Sequence, residues 1–332
     1  MARKVMVVLS DRANYGRLIP VLDILPDAEI VCTGSMGLEK FGKPAKEVAK
    51  HYNVVTTTFS EVTGSSPQTM AKSVGLVCMD MADIIAERKP DVFMCIGDRY
   101  ETLGAVIAAA YQRVAIVHIQ GGELSGTMDN ACRDAISMFS HYHCVSHVNA
   151  YNRLRRMGQE RVSVTGCPVG DLILKNDMST KLIKISGVGY NVDAEKPYIL
   201  TILHPDTTGD DDNCQAVIDA VHETGLQVVW LWPNIDAGAD AISKKLRIFR
   251  ESTDNKFCFV KNLDPVMFQR ILHNAVLAVG NSSSFVRDAG FHGTKVVLIG
   301  DRQKGRYRGS YGDGHAAPRI AEIVKNATWY AK

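Results

Sequence analysis

No two of the eight cysteines, Cys32, Cys78, Cys95, Cys132, Cys144, Cys167, Cys214 and Cys258, stand in a CxxC pair. A zinc ribbon or a dense disulfide framework is therefore not encoded, and cysteines inside apolar runs read as buried free thiols. Long apolar stretches are also missing. The run that begins near Val5 ends at Leu9 and is followed by Asp11 and Arg12, too short for a signal peptide or a membrane span, so a cytoplasmic location is expected. Charge of one sign is scarce in excess: 38 Lys and Arg against 36 Asp and Glu give +2, with no basic block. Attachment to nucleic acid or to a membrane is not indicated. The turn after the first apolar run has no GxGxxG, and no GxxxxGK[ST] occurs anywhere, which disfavours a dinucleotide dehydrogenase or a P-loop enzyme. No metal and no cofactor is expected.

What is present is a regular alternation. Short runs rich in β-branched residues (Val5 to Leu9, Ile30 to Cys32, Val54 to Thr57, Val92 to Ile96, Val114 to Ile119, His143 to Ser146, Val162 to Val164) alternate with helical patterns. Continuously apolar strands imply burial on both faces, as in a parallel sheet between helices. The alternation restarts after Gly166-Cys167-Pro168, with Tyr198 to Leu203, Val228 to Leu231, Phe257 to Val260, Val276 to Val279 and Val296 to Ile299. A polar stretch from Asn176 to Glu195 lies between. The expected class is α/β, two Rossmann-like domains with parallel sheets facing a central cleft and a first boundary near residue 170.

Open α/β sheets bind ligands at the carboxyl ends of their strands, and chemistry-bearing residues collect there. His118-Ile119-Gln120-Gly121-Gly122-Glu123 closes one strand, and Gly97-Asp98-Arg99 closes another. Asp129 and Arg133 are four apart, on one face of a helix, so a guanidinium can tune a carboxylate; an Asp followed by Arg, as at 98 and 99, also reads as a salt-bridged turn. Arg12 and Arg17 flank the start of the first helix, where an anion is favoured, although a solvated turn has the same pattern. His204 ends a strand before Pro205, as a phosphate donor or as a structural histidine. Asn281-Ser282-Ser283-Ser284 opens a helix after Gly280, as a cap or as a diphosphate cradle.

The stretches DRANYGRL, GDRYET, HIQGGELSGTMDNACRDAISMFSHYH, GCPVGD, LHPDTT, WPNIDAG, GNSSSFVRDAGFHGTKVVLIGDRQKGR and YGDGHAAPRI together resemble the UDP-N-acetylglucosamine 2-epimerase family. The likeness is closest to its hydrolysing branch, which makes N-acetylmannosamine for sialic acid synthesis. The resemblance implies a GT-B fold with an N-terminal domain over 1–170, a nucleotide-side domain over 171–316, and a C-terminal helix over 317–332 packed back on the first. It implies elimination of UDP across C1 and C2 followed by hydration of the glycal, on a UDP-sugar such as UDP-GlcNAc, in a homo-oligomer. Asp98, Gln120, Glu123, Asp129 and Arg133 then stand on the catalytic side. Arg12, Arg17, His204, Asn234, Ser282, Ser283 and Asp288 stand on the substrate-binding side, with Asp288 toward the ribose.

Several positions depart from the family pattern. Gln120 stands where relatives commonly carry a catalytic carboxylate, and an amide takes no proton at ordinary pH. Asn130 replaces the second acid of an Asp-Asp pair, Arg17 a Lys, Phe285 a Gly and Asp288 a Glu, and the chain is shortened between Arg308 and Tyr311. Two other readings therefore stay open: a GT-B glycosyltransferase passing the sugar to an unknown acceptor, and a nucleotide-sugar-binding protein without turnover.

Overall fold

The computed structural model describes residues 3–39, 42–58, 66–206, 213–252 and 255–330. Residues 207 and 208, the end of the LHPDTT stretch, lie outside them. The β-branched runs become two sheets. In the first, β1 (Val5–Leu9), β2 (Glu29–Cys32), β3 (Val54–Thr57), β4 (Val92–Ile96), β5 (Ala115–Ile119), β6 (Tyr142–Val145) and β7 (Val162–Val164) run in the order β3-β2-β1-β4-β5-β6-β7, every pairing parallel. Every residue of β1, β4 and β5 is buried, as expected for strands covered on both faces. The strand order reverses between β1 and β4. Loops leaving their carboxyl ends diverge there and open a crevice.

The second sheet contains β8 (Val188–Gly189), β9 (Tyr198–Ile202), β10 (Gln227–Leu231), β11 (Phe257–Val260), β12 (Leu277–Gly280) and β13 (Val296–Leu298), in the order β13-β12-β9-β10-β11-β8. Only β8, on the edge, is antiparallel to its neighbour. Its switch point lies between β9 and β12, so the residues after those strands face the first sheet's crevice. The two domains make a GT-B fold. Strand β8 falls in the polar stretch that sequence alone reads as a connection. There Gly189 has φ +107°, and a Cβ would meet the Phe257 carbonyl oxygen at 2.4 Å; glycine permits this edge pairing.

Two apolar layers cover the first sheet. One joins Val7, Leu9, Met94 and Val117 to Leu18 and Val21 of helix Arg12–Leu22 and to Ile320 and Val324 of helix Ala316–Asn326. The other joins Met6, Val8 and Phe93 to Val77, Met81 and Ile85. The last helix starts on the Asp171 carboxylate, which accepts from the Ala316 and Ala317 N–H groups at 2.9 Å each, satisfying donors that a helix start leaves free. Among the described residues no helix is long and apolar enough to cross a membrane.

Candidate active site

Between the carboxyl edges of the two sheets lies a cleft enclosing about 1620 Å³ out to its mouth. Arg12, Arg17, Asp98, Asp129, His204, Asn234, Ser282, Ser283 and Asp288 line it. Gln120, Glu123 and Arg133 do not; they are almost fully buried behind its wall.

Asp98 follows β4 through Gly97, whose φ of +81° makes the turn. The pairing suggested by sequence spacing, Asp129 with Arg133, is replaced by another. Arg133 donates to the Asp98 carboxylate, to the Glu123 carbonyl oxygen at 2.7 Å and to the Asn130 side-chain oxygen at 3.1 Å. Nor do Asp98 and Arg99 form a salt-bridged turn: Arg99 forks onto Glu101 at 2.8 and 3.0 Å and reaches Asp236 across the cleft. Burial pushes the Asp98 carboxyl up, but Arg133, Arg306, Arg17 and Arg287 outweigh it and hold the group below its ordinary value. Asp129 goes the other way. Burial and then the Asp98 charge raise its pKa, and Arg302 at 3.8 Å offsets only part of this. Two neighbouring carboxyls pushed in opposite directions are chemically able to divide acid and base roles between them. Asn130 anchors the loop beside them, accepting from the Ser125 N–H at 2.8 Å and donating to its carbonyl oxygen at 2.6 Å.

Glu123 is occupied. One carboxylate oxygen accepts from the Ser146 hydroxyl at 2.9 Å, the other from Arg287 at 2.6 Å and Arg306 at 2.9 Å, both from the second domain. Burial pushes this carboxyl up, yet Arg287, Arg306 and Arg133 drive it well below the carboxylate range. It is a fixed anion that joins the domains, not a proton carrier. His118 is equally fixed: its Nε2 donates to the Gly97 carbonyl oxygen at 2.8 Å, leaving Nδ1 to accept from the Ser137 hydroxyl at 3.1 Å. Burial lowers it to about 4, so it is neutral and shapes the turn before Asp98.

The opposite wall is built from the second domain. His204 Nδ1 accepts from the Asn234 N–H at 3.1 Å, which places its proton on Nε2. Burial, with Arg302, lowers this imidazole to about 3, so the ring is neutral and its Nε2–H is a neutral donor. Asn281 clamps the His204 backbone at 2.7 and 2.8 Å. Ser283 stands at the N-cap position of the single turn Ser284–Arg287 without a side-chain capping bond, the Ser284 N–H donating instead to the Ser282 hydroxyl at 3.3 Å, and Ser282, Ser283 and Ser284 all face the cleft. Asp288 is buried; Gln269 donates to its Oδ2 at 3.0 Å, while its Oδ1 has no hydrogen bond among the described residues. Arg12 crosses the cleft to the carbonyl oxygens of Trp232, at 3.1 Å, and Lys261.

Arg99, which the sequence places at the sheet edge beside Asp98, belongs to a cross-domain set whose other members, Asp236, Arg302 and Arg306, escaped the sequence reading. Arg302 pairs with Asp236 at 3.1 Å, and its carbonyl oxygen accepts from the Gly126 N–H at 3.0 Å. The available signal was position, since Arg302 and Arg306 follow β13 at the carboxyl edge of the second sheet, as Asp98 follows β4 at that of the first.

The description "UDP-N-acetylglucosamine 2-epimerase" belongs to the family whose model matches residues 25–310 of this chain. The chain belongs to that family. It is 32% identical over 319 residues to the UDP-N,N'-diacetylbacillosamine 2-epimerase (hydrolyzing) of Legionella pneumophila, spanning 93% of this chain and 84% of that protein. To the UDP-N-acetylglucosamine 2-epimerase of Neisseria meningitidis it is 28% identical over 319 residues, spanning 92% and 82%. The UDP-GlcNAc 2-epimerase of Methanocaldococcus jannaschii, solved with UDP-GlcNAc and UDP, shares this 2-epimerase fold with a TM-score of 0.77 at 17% identity, over 96% of this chain and 99% of that one.

Proposed function

We propose that the protein is a hydrolysing 2-epimerase that converts UDP-GlcNAc and water to N-acetylmannosamine and UDP. The observation that carries this is the Asp98–Asp129 pair, one carboxyl held low and the other high, opposite Ser282 to Ser284 and His204 on the other wall. Asp98 takes the proton from C2 as the C1–O bond to UDP breaks. Asp129 returns a proton to C2 from the other side as water bonds to C1 of the glycal and gives up its own proton to solvent, and exchange with solvent returns Asp98 to the carboxylate and Asp129 to the acid. Arg12, His204, Asn234, Ser282 and Ser283 hold the diphosphate, stabilising the charge that develops on it. Asp288 accepts from a ribose hydroxyl; Arg133 and Glu123 keep the proton-transfer wall in place.

This reading divides the chain at 1–170, 171–316 and 317–332, supported by the two sheets and by the shared core of the last helix. Cytoplasmic work agrees with eight free cysteines. Homo-oligomeric assembly is supported by exposed Met79, Tyr111 and Met138 on three helices of the first domain. A supply role for sialic acid synthesis follows if the product is N-acetylmannosamine.

Incubation with UDP-GlcNAc, followed by NMR, should release UDP together with N-acetylmannosamine and without an added acceptor. Release only after an acceptor is added supports the transferase and defeats the proposal, as does binding without release. Turnover of UDP-N,N'-diacetylbacillosamine in place of UDP-GlcNAc keeps the reaction and corrects the sugar.

A further inference from the structure

The cleft arginines differ in how their charge is met. Arg99 has Glu101 and Asp236, Arg302 has Asp236, and Arg306 has Glu123 within salt-bridge distance. Arg17 has no such carboxylate among the described residues; its Nη1 donates at 2.8 Å to the side-chain oxygen of Gln120. Gln120 is itself held at three points. Its N–H donates to the Cys144 carbonyl oxygen at 2.9 Å, its amide Nε2 to Cys167 Sγ at 3.1 Å, and its Oε1 takes Arg17. It closes β5 with φ +65°, a left-handed conformation that a side chain other than glycine adopts at some expense in energy.

We propose that Gln120 is a positioning residue whose neutral amide fixes Arg17 without cancelling its charge, so that Arg17 faces the cleft as a cation for the departing nucleoside diphosphate. The inference rests on the reading of the cleft as a UDP-sugar site. A carboxylate in the same place would orient the guanidinium equally well but pair with it, and a buried pair presents little net charge to a third group. The amide separates orientation from neutralisation. Arg17 acts on the reacting wall as well, because its charge is one of those that hold Asp98 ionised. Asp98 is faced by Arg133 and Asp129 of helix Asp129–Phe139, by Arg17 of helix Arg12–Leu22, by Arg287 and Arg306 of the second domain, and by neutral His118 of β5.

Calorimetric titration with UDP tests the assignment. Gln120→Glu should weaken UDP about tenfold by pairing Arg17. Gln120→Asn, which tolerates the left-handed backbone but is too short to reach Arg17, should weaken it less, and should add nothing in an Arg17→Met background. Arg17→Met alone, on a partly exposed side chain, should lose at least as much as Gln120→Glu and carries the test if a Gln120 variant does not fold. In turnover, the acid limb of kcat/KM should move to higher pH in Gln120→Glu, a change that a purely structural role does not produce. Wild-type UDP affinity in Gln120→Glu, with UDP release faster by about 10²-fold or more, would make the position a proton carrier and overturn the proposal. Unchanged affinity in every variant also overturns it. Wild type that binds UDP but turns over no UDP-sugar removes the reaction and leaves the UDP arm decisive; wild type that does not bind UDP removes both.

Discussion

His204 and Glu123 show how a side chain's partners decide its role when its type does not. A histidine at a strand end beside a phosphate site suggests an imidazolium, whose charge-assisted bond contributes about 1.5–3 kcal/mol. Here the Asn234 N–H occupies Nδ1 and burial holds the ring neutral, at about 3, so its bond to a diphosphate is charge-assisted from the acceptor side alone and falls at the low end of that range, about 1.5 kcal/mol. His204→Ala should therefore weaken UDP by up to about tenfold. The ratio of wild-type to variant affinity should stay constant between about pH 6 and 8, the range in which a free imidazole titrates. Calorimetry across that range checks it; a ratio that grows toward pH 6 would mean the ring binds as a cation.

At the scale of elements, the loop after β5 matters most, because it carries Gln120, Glu123 and Gly126 from one domain to the other. Gly126 lies so near the second domain that a Cβ would meet the Asp301 carbonyl oxygen at 1.7 Å. Glu123 answers two guanidinium groups that are otherwise buried, and a buried charge stripped of its partner costs about 3–5 kcal/mol. Glu123→Gln, which keeps the shape and removes the charge, should lower unfolding stability by that order in urea titrations. A loss below about 1 kcal/mol would mean water already reaches Arg287 and Arg306. Sequence carried the elements well, since strands buried on both faces write themselves as unbroken apolar runs, and β1, β4 and β11 fall where those runs are. It carried part of the cleft lining as well, because strand ends at a switch point are a positional rule, but Gln120, Glu123 and Arg133 lie behind the wall and Asp236, Arg302 and Arg306 line it unannounced. The ion-pair partners were not legible: Arg133 has Asp129 four residues away yet binds Asp98, 35 residues back. Pairings made across the cleft depend on how two domains dock, which no local spacing records.

The whole molecule is held by buried groups whose ionisation differs from that of the unfolded chain, so its stability is a function of pH. His118 in the first domain and His204 in the second are both neutral when folded, lowered from 6.5 to about 4 and about 3 by burial. Between those values and 6.5 the unfolded chain binds more protons than the native one. Their contribution is complete above pH 6.5 and drains as the solution is acidified, at up to about 1.4 kcal/mol per pH unit for each ring. Asp129, Glu101 and Asp288, raised by burial, run the opposite way and favour the native state on acidification. Glu123 and Asp236, held low by arginines, begin to lose their contribution as pH falls through the ordinary carboxylate range, where the unfolded chain protonates first. The histidine contribution is isolated by comparing wild type with His118→Gln, since a glutamine can donate to the Gly97 carbonyl oxygen and accept from Ser137 without titrating. Urea unfolding of both proteins, followed by circular dichroism, should show wild type more stable at pH 7 and the gap narrowing by about 3 kcal/mol by pH 4. Parallel curves over that range would mean that His118 carries its proton in the folded protein, and that the turn before Asp98 is held by an imidazolium.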